Sequence, residues 1–416
     1  MRFILSLCLI VGVTHKGTAQ TQQKPITLEE AEKVFLKSNL MLLAQQYNIS
    51  AKQALVIQAK AYPNPTFNAD FNVYDPQNNK MFHIDSSGQK SFQVEQLIVL
   101  GGKRKTEIDI AKQNKILAES EFAELLRNLK VQLHRNFYSI NEHKIVIENY
   151  EKQLSILDTI IDAYKIQVNK GNLPLKDIIR LKSVYIKINN NKSELSINYN
   201  EEQKNIKLLL QINQEITPLI DESNYKSYTD LKALNDLQTM ALSNRPDLKI
   251  ADETAIIAAL NLKLQKRQAI PDIAINGSYD QRGGAFRNQI NAGITMPLPI
   301  LNTNRGNIRA AEYDKKAMDL YVQEKKLEVE LDIQQAWQNM QRSIIEYNKV
   351  NTMFNDEFKQ VNIGVNDNFF KKNISILEFV DFVEAYNESL AEFERIKTQL
   401  AVSAAEINFV TATKVY

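Results

Sequence analysis

The stretch from Lys103 to Asn169 contains neither glycine nor proline, which limits the possible folds of this chain more than any other feature. It predicts one uninterrupted helix, which at 1.5 Å per residue is roughly 100 Å long. A helix of this length cannot be enclosed by a globular core, so we expect it to lie along other helices as in a coiled coil. Its apolar residues recur at spacings of three and four and form one packing face: Phe122, Leu125, Leu126, Leu129, Leu133, Phe137 and Ile140.

A second stretch of the same kind runs from about 305 to 368, where Gly306 and Gly364 are the expected interruptions. Two short sequence motifs also recur in related form, each time 201 residues apart. They are KGNLPLKDIIRL at Lys170 with KKNISILEFVDF at Lys371, and LIVLGGKR at Leu97 with LPILNTNR at Leu298. A repeat of this length indicates two copies of one architecture.

Each half also contains two short stretches that alternate between apolar and polar residues, the pattern of a strand with one face of each kind. They span 65–74 and 91–100 in the first half, and 272–280 and 289–296 in the second. Four strands cannot cover both faces of a sheet by themselves, so they must pair with something else.

The chain is therefore predicted to be mainly α-helical with a small β part, in two tandem repeats joined by a short helical or irregular linker. The opening helix runs from Thr27 to Ala61, and Thr27 with Glu30 forms a capping box at its start. The predicted boundaries are a signal peptide at 1–20, a first repeat at 21–212, a linker at 213–236 and a second repeat at 237–416. The first repeat has its strands within 65–100, its long helix at 103–169 and its tip at 170–174. The second has its strands within 272–297, its long helix at 303–371 and its tip at 372–376.

The N-terminus has the pattern of a secretory signal. Arg2 precedes an apolar run from Phe3 to Val13, and the small residues around Ala19 follow it. The run is about half the ~20 residues that a membrane-spanning helix needs. The single cysteine, Cys8, lies inside this run, so the exported chain is expected to have no disulfide. Leu7 precedes Cys8 where a lipid-anchored protein would have a small residue, so a lipid anchor is not expected.

The composition argues against several function classes. The 51 Lys and Arg residues nearly balance the 49 Asp and Glu residues, so no nucleic-acid partner is expected. His134 and His143 are nine residues apart, which places them on opposite sides of a helix and prevents joint metal binding. We find no catalytic constellation and no phosphate-binding loop, and therefore predict no enzyme activity, cofactor or metal site.

A secreted chain with four amphipathic strands, two very long helices and a repeat of about 200 residues resembles the TolC family of bacterial outer-membrane efflux channels, including its heavy-metal branch. The resemblance rests on the paired strands, the LGGKR strand-to-helix junction and the doubled phrase at Lys170 and Lys371. It implies a homotrimer in the outer membrane, with a periplasmic adaptor (membrane fusion) protein and an inner-membrane transporter of the RND type as partners. Each protomer would give four strands to a twelve-stranded transmembrane barrel and its helices to a periplasmic tunnel.

The resemblance also assigns the two faces of the strands and the loops between them. Residues 75–90 and 281–287 would be extracellular loops. Outer-membrane lipid would contact Phe67, Phe71, Val73, Ile290, Ile294 and Met296, and the water-filled lumen would contact Asn68, Asp70, Asn72, Gln289 and Asn291.

The two tips would lie at the periplasmic mouth. Gly171 and Pro174 suit a turn and a new helix start, and Asn373 and Ser375 are expected to do the same in the second tip. Around a threefold axis, Glu378 and Asp381 would form rings of negative charge that gate the mouth, while Asp177 and Arg180 would latch it. The residues expected to be exposed and to contact the adaptor are Gly171, Asn172, Leu173, Asn373 and Ile374.

Two other functions remain open from the residues. One is a soluble periplasmic coiled-coil adaptor or scaffold, which would have no use for strands with an apolar outer face. The other is the outer-membrane duct of a type I secretion system, which would share the whole architecture. Neither the exported substrate nor the cognate pump follows from the sequence.

Overall fold

The structure is a computed structural model that describes residues 24–283, 285–354 and 356–416. The predicted signal segment lies outside the described residues. The first half of the chain comprises β1 (Lys24–Thr27), α1 (Leu28–Ser38), α2 (Leu40–Lys60), β2 (Thr66–Phe71), β3 (Tyr74–Asp75), β4 (Lys80–Met81), β5 (Gln89–Ile98), α3 (Lys103–Asn169) and α4 (Leu175–Leu210). The second half comprises β6 (Ile216–Leu219), α5 (Ser223–Ser227), α6 (Leu234–Asn244), α7 (Pro246–Gln268), β7 (Ile273–Arg282), β8 (Phe286–Thr295), α8 (Arg305–Met353), α9 (Asp356–Phe370) and α10 (Ile376–Thr411).

The mainly helical prediction is confirmed, and α3 has the predicted bounds. The opening helix is divided, contrary to the prediction of one helix from Thr27 to Ala61. Thr27 and Glu30 form the expected capping box, but the helix stops at Asn39, whose side chain accepts hydrogen bonds from the backbone N–H groups of Met41 and Leu42. Asn39 thereby ends one helix and caps the next. Arg245 has nearly the same extended backbone between α6 and α7, so the division occurs in both halves.

Four strands form one antiparallel sheet in the order β2-β5-β7-β8. The ladder between β5 and β7 runs from the Gln89–Arg282 pair to the Ile98–Ile273 pair and joins the two halves of the chain. The predicted loop at 75–90 contains a small β3–β4 hairpin, in which Tyr74 pairs with Met81.

The long helices pack along one another, with α3 in contact with α4, α7, α2 and α10. Buried apolar side chains lie in clusters along this body, including Leu133, Phe137 and Ile140 of the predicted packing face. No helix within the described ranges is long and apolar enough to cross a membrane.

The second long helix is interrupted at Phe354, not at Gly306 or Gly364 as expected. Phe354 leaves the helical conformation and packs its ring on Phe358 at 4.3 Å and on Phe393 of α10 at 4.4 Å. Both glycines lie inside helices with open space around them. The interruption therefore follows from aromatic packing between helices, which helix propensity alone does not reveal.

The predicted linker, residues 213–236, contains the short helix α5, as a helical or irregular segment allows, and also the unexpected strand β6. The strand pairs in parallel with β1, from Lys24–Ile216 to Thr27–Leu219. Gln203 supports this pairing through hydrogen bonds to the backbone N–H and C=O of Ile216. The segment thus ties the start of the chain to the end of the first half.

The two tips have the same hydrogen bonds at the same interval of 201 residues. Asn172 donates its backbone N–H to Gln167 O in the first, and Asn373 donates to Asn368 O in the second, both at 2.9 Å. The residue with positive φ is Gly171 (75°) in the first tip and Lys372 (59°) in the second. The prediction that Asn373 makes the turn was therefore wrong by one residue, and Pro174 is a helix N-cap and not a first-turn residue.

We predict opposite effects for the same substitution at two glycines. Gly171→Ala should lower the free energy of unfolding by about 1 kcal/mol, because an L-residue is strained at positive φ. Gly364→Ala should raise it by about 0.5–1 kcal/mol, because this glycine is helical and a Cβ meets open space. Chemical denaturation in detergent measures both values, and Lys372→Gly should stabilise the second tip. Equal effects at the two glycines would contradict the assigned turn.

Candidate channel wall and periplasmic tips

Four of the six predicted lipid-facing residues lie together on one face of the sheet: Phe67, Phe71, Ile290 and Ile294. Phe67 and Phe71 of β2 both contact Phe92 of β5, with ring centroids 6.3 Å and 5.6 Å apart. Phe92 lies opposite Tyr279 of β7, and Tyr279 lies opposite Ile290 of β8. Because alternate residues of each strand point to the same side, Ile294 shares this face, and 74% of its surface is exposed. The sheet therefore has a continuous apolar face that no other part of the described chain covers.

The opposite face of the sheet is polar. One row of paired residues crosses all four strands: Asn68, Gln93, Ser278 and Asn291. A second row runs from Asp70 through Ser91 and Asp280 to Gln289. The predicted lumen residues Asn68, Asp70, Gln289 and Asn291 thus share one surface, as the period-two pattern required.

Three predicted wall residues lie just outside the strands. Asn72 and Val73 follow the end of β2, where Val73 accepts a hydrogen bond from the backbone N–H of Phe82. Met296 follows the end of β8. The backbones of β2 and β8 have no strand partner on their outer edges within the described chain. Two free edges on a sheet with an apolar face are a surface that normally requires a partner.

The loop between β2 and β5 is held by a polar cluster around His83, which no sequence pattern indicated. The ring of His83 is buried, with Nδ1 2.6 Å from Asp75 and Nε2 3.0 Å from the hydroxyl of Ser87. Hydrogen bonds from Asn78 and His83 hold the pKa of Asp75 well below its usual range. His83 therefore organises the loop by hydrogen bonding.

The tips are less exposed than predicted. Asn172 and Asn373 are exposed, but their side chains bond Gln167 and Asn368 at 2.8 Å and 3.1 Å. Leu173 and Ile374 are half-buried, and Ile374 packs against the cluster that contains Phe369 and Phe379. The apolar residues at these positions thus stabilise the ends of the helices, and the exposed surface of each tip is mainly polar.

The charged residues proposed for the gate lie on the first two turns of α4 and α10. Glu378, Asp381 and Arg180 are exposed, and Asp177 is half-buried. Within the described residues none of the four forms an ion pair, so the predicted latch is not made inside one chain. Nearby, Lys187 joins α4 to α10 through Glu384 at 3.3 Å and Glu388 at 3.1 Å.

Glu378 has a local structural role that the first tip lacks. Its carboxylate accepts the backbone N–H of Ser375 at 2.8 Å, and the Ser375 hydroxyl accepts the N–H of Glu378 at 3.2 Å. The bond from the Ser375 backbone lowers the pKa of Glu378. The signal was present in the sequence as a serine followed by a glutamate three residues later. Asp381 lies one turn further along α10 and is not part of this cap.

A sheet with one apolar and one polar face and two free edges, attached to long paired helices, is the arrangement that a subunit of an outer-membrane channel requires. The model of the outer membrane efflux protein family matches residues 33–179 of this chain. The cobalt-zinc-cadmium resistance protein CzcC of Cupriavidus metallidurans is 24% identical over 310 residues, which cover 72% of this chain and 69% of that protein.

The fold is also that of solved outer-membrane proteins. The CmeC outer membrane channel of Campylobacter jejuni superimposes with a TM-score of 0.75 at 12% identity, over 94% of this chain and 87% of that one. The outer membrane protein VceC of Vibrio cholerae superimposes with a TM-score of 0.68 at 11% identity, over 94% of this chain and 97% of that one.

We predict that Glu378 makes the second tip sensitive to acid. A carboxylate whose pKa is lower in the folded state stabilises the fold above its unfolded pKa, and this contribution disappears as the pH falls through the folded value. The unfolding free energy of the wild type relative to Glu378→Gln should therefore decline as the pH falls below the ordinary glutamate value of 4.5.

Denaturant titrations of both proteins between pH 3 and pH 7 measure this difference. The matched control is Glu201→Gln, which removes an exposed carboxylate from the interior of α4, where no backbone N–H is free to bond it. A difference that does not depend on pH for Glu378→Gln would contradict the capping role.

Proposed function

We propose that this chain is one protomer of the outer-membrane exit duct of a tripartite efflux system. The observation that carries the proposal is the sheet with one apolar and one polar face on the end of a long helical body. The duct is passive, because nothing among its described residues couples an energy source to transport. A periplasmic adaptor and an inner-membrane transporter, of the RND type in our proposal, supply recognition and energy.

The protomers assemble as a trimer in this proposal. In lipid, an open sheet edge leaves backbone N–H and C=O groups without partners, so only a closed sheet is stable there. Three copies contribute twelve strands, with the edge of β2 from one copy paired to the edge of β8 from the next. The apolar face then contacts lipid and the polar face lines the lumen. Val73 and Met296 extend the lipid-facing surface at its two ends, and Asn72 extends the lumen-facing surface.

A disulfide between the two sheet edges tests the closed sheet. In one chain β2 and β8 are three strand spacings apart, roughly 14 Å, which exceeds the ~7 Å that a disulfide can span. Phe67→Cys combined with a single cysteine at 292, 293, 294 or 295 should therefore cross-link only between copies. We expect at least one of these pairs to give a covalent trimer on a denaturing gel after oxidation.

The control pair is Phe67→Cys with Arg287→Cys, because residue 287 is the second residue of β8 and lies at the opposite end of the strand, so it should not cross-link. Monomer alone from every pair at positions 292–295 would contradict the closed sheet. The same outcome would favour the alternative function, a soluble periplasmic adaptor, which should also remain in the periplasmic fraction.

The tips contact the adaptor in this proposal. They lie at the far end of the helices from the sheet, and they present the exposed Gly171, Asn172 and Asn373. The half-buried Leu173 and Ile374 shape this surface from below. Because both tips have the same turn, the adaptor meets two similar surfaces on each protomer.

The gate consists of Glu378 and Asp381 from three protomers. Rings of like charge repel anions and attract cations. Asp177 and Arg180 on α4 are free within the described chain to bridge to a neighbouring protomer. The cap at Ser375 supports this arrangement, because it fixes the position of the Glu378 carboxylate.

Neutralising the gate should reduce the preference of the channel for cations. In Glu378→Gln with Asp381→Asn, the side-chain amide introduced at position 378 can still accept the Ser375 N–H, so the cap remains while both negative charges of each protomer disappear. Reversal potentials across a planar bilayer with a salt gradient measure the preference. We expect the shift toward neutrality to be largest at low salt, where screening is weak.

Two control variants separate charge from structure. Glu201→Gln with Glu324→Gln removes the same charge far from the tips and should leave the preference unchanged. Ser375→Ala weakens the cap, by about 1 kcal/mol, without changing the charge. An unchanged cation preference in the Glu378 and Asp381 variant would contradict the gate.

For the exported substrate we propose divalent metal ions, because the curated relative CzcC is named for resistance to cobalt, zinc and cadmium. No cluster of metal-binding side chains occurs in the part of the chain that the structure describes. The duct would thus pass the ion without a binding site of its own. A type I secretion duct would instead leave metal sensitivity unchanged when the gene is deleted.

A further inference from the structure

The connection between β8 and α8 exposes a group of apolar side chains. It spans residues 296–304, and the exposed fractions are 66% for Leu298, 77% for Ile300 and 100% for Leu301. The matching connection between β5 and α3 is only residues 99–102, and its Val99 and Leu100 are half-buried. The exposed apolar loop is thus a feature of the second half alone. We call it the junction loop.

The junction loop continues the apolar face of β8. Ile290, Ala292 and Ile294 occupy alternate positions on that face, and Met296, Leu298 and Ile300 follow at the same interval. Two prolines intervene, and they cannot donate a backbone hydrogen bond. The chain turns after Leu298, whose C=O accepts the N–H of Ile300 at 2.9 Å. The loop therefore extends the lipid-facing surface toward the helices.

Basic side chains lie beside the junction loop, where α2 and α7 end and α3 and α8 begin. In a chain with nearly balanced charge, nine cations lie here against four carboxylates, Glu107, Asp109, Asp272 and Glu312, of which Glu312 pairs with Lys266 at 3.6 Å. The set, which we call the junction cations, is Lys60 on α2, Lys103, Arg104 and Lys105 on α3, Lys263, Lys266 and Arg267 on α7, and Arg305 and Arg309 on α8.

Several junction cations lie at helix N-termini, where the helix dipole disfavours positive charge. The first turn of a helix has a partial positive charge and favours acidic residues, yet α3 begins with three cations and α8 begins with Arg305. Lys103 is compensated by Asp272 at 2.8 Å, and the Arg104 guanidinium lies 3.5 Å from the ring centre of Tyr62. Within the described residues, Lys105, Arg305 and Arg309 are exposed and form no ion pair.

We infer that this level of the molecule binds the anionic phospholipid headgroups of the membrane leaflet nearest the helices, with the junction loop inserted among the acyl chains. The inference rests on the proposed function. Two observations favour lipid over a second copy of the chain: the loop is continuous with the lipid-facing side of β8, and the cations around it match a phosphate layer. Clusters of Lys and Arg beside a membrane-spanning segment attract anionic lipids in this way. Tyr62, which is 75% exposed, adds the amphipathic ring that favours such an interface.

Quenching by labelled lipid tests the insertion of the loop. Leu301→Cys provides a unique thiol, since the chain has only Cys8 in its predicted signal segment, and the thiol is labelled with an environment-sensitive fluorophore. In vesicles that contain lipid with a nitroxide on the acyl chain, we expect strong quenching. The control is Leu331→Cys, also exposed but about 40 Å further along α8, which should not be quenched. A label at 301 that is shielded from water yet unquenched would show that a second copy covers the loop, and would overturn the inference.

Retention of phospholipid through purification tests the cations. Mass spectrometry of the detergent-solubilised protein counts bound phosphatidylglycerol and phosphatidylcholine. We expect enrichment of phosphatidylglycerol that falls about five-fold for each cation removed in Lys105→Gln, Arg305→Gln and Arg309→Gln. The control is Lys170→Gln with Lys176→Gln and Lys182→Gln near the first tip, which should keep the enrichment. Equal losses in both variants, or no enrichment in the wild type, would overturn the inference.

Conductance of the same proteins separates the two claims. If the wild type conducts across a bilayer but shows neither quenching nor enrichment, the inference fails while the proposed function stands. If the wild type forms no conducting channel, the proposed function fails and the inference fails with it.

Discussion

The ladder between β5 and β7 is the interaction on which the rest of the structure depends. It is the longest strand pairing described in the chain, and it joins the two halves of the repeat into one sheet. Its register decides which residues of all four strands share a face, because a slip of one residue would move every side chain to the other side. The ladder is held at its helical end, where Asp272 accepts the backbone N–H of Leu100 and pairs with Lys103. The same contacts therefore fix both the faces of the sheet and the direction in which α3 leaves it.

The two halves have the same backbone conformation at their tips but use different residues to stabilise it. Both tips need one residue at positive φ, for which the first half uses Gly171 and the second uses Lys372. Both need a start for the next helix, which Pro174 provides through its fixed φ and Ser375 through a capping box with Glu378. The second tip thus contains a carboxylate that stabilises the helix and faces solvent at once, where the first has Asp177 without a cap. A single side chain can in this way serve both the fold and the charge of the proposed mouth.

The sequence predicts those features of the fold that depend on residues close together along the chain. The bounds of α3, the capping box at Thr27 and the faces of the strands all follow from local patterns of spacing and residue type. The interruption at Phe354 could not be predicted, because it depends on Phe393 of a distant helix. The pairing of β1 with β6 was also missed, since both strands are four residues long and contain proline. The tips were recognised from their repetition, but their burial depends on Phe369 and Phe379, which only the folded structure brings beneath Ile374.

The polar face of the sheet has a net negative charge, so the charge of the proposed lumen has the same sign as that of the proposed gate. Most residues of that face are amides and hydroxyls, which solvate an ion without holding it. Its carboxylates are Asp70, Glu95 and Asp280, and Asp280 is paired with Arg282 at 3.2 Å. Within the described residues Asp70 and Glu95 have no cationic partner, so the wall has a net negative charge between its two ends. A wall of weak ligands with a few separated carboxylates raises the local concentration of cations without binding them tightly. That is the electrostatic condition for a passive cation duct, in which selection belongs to the pump.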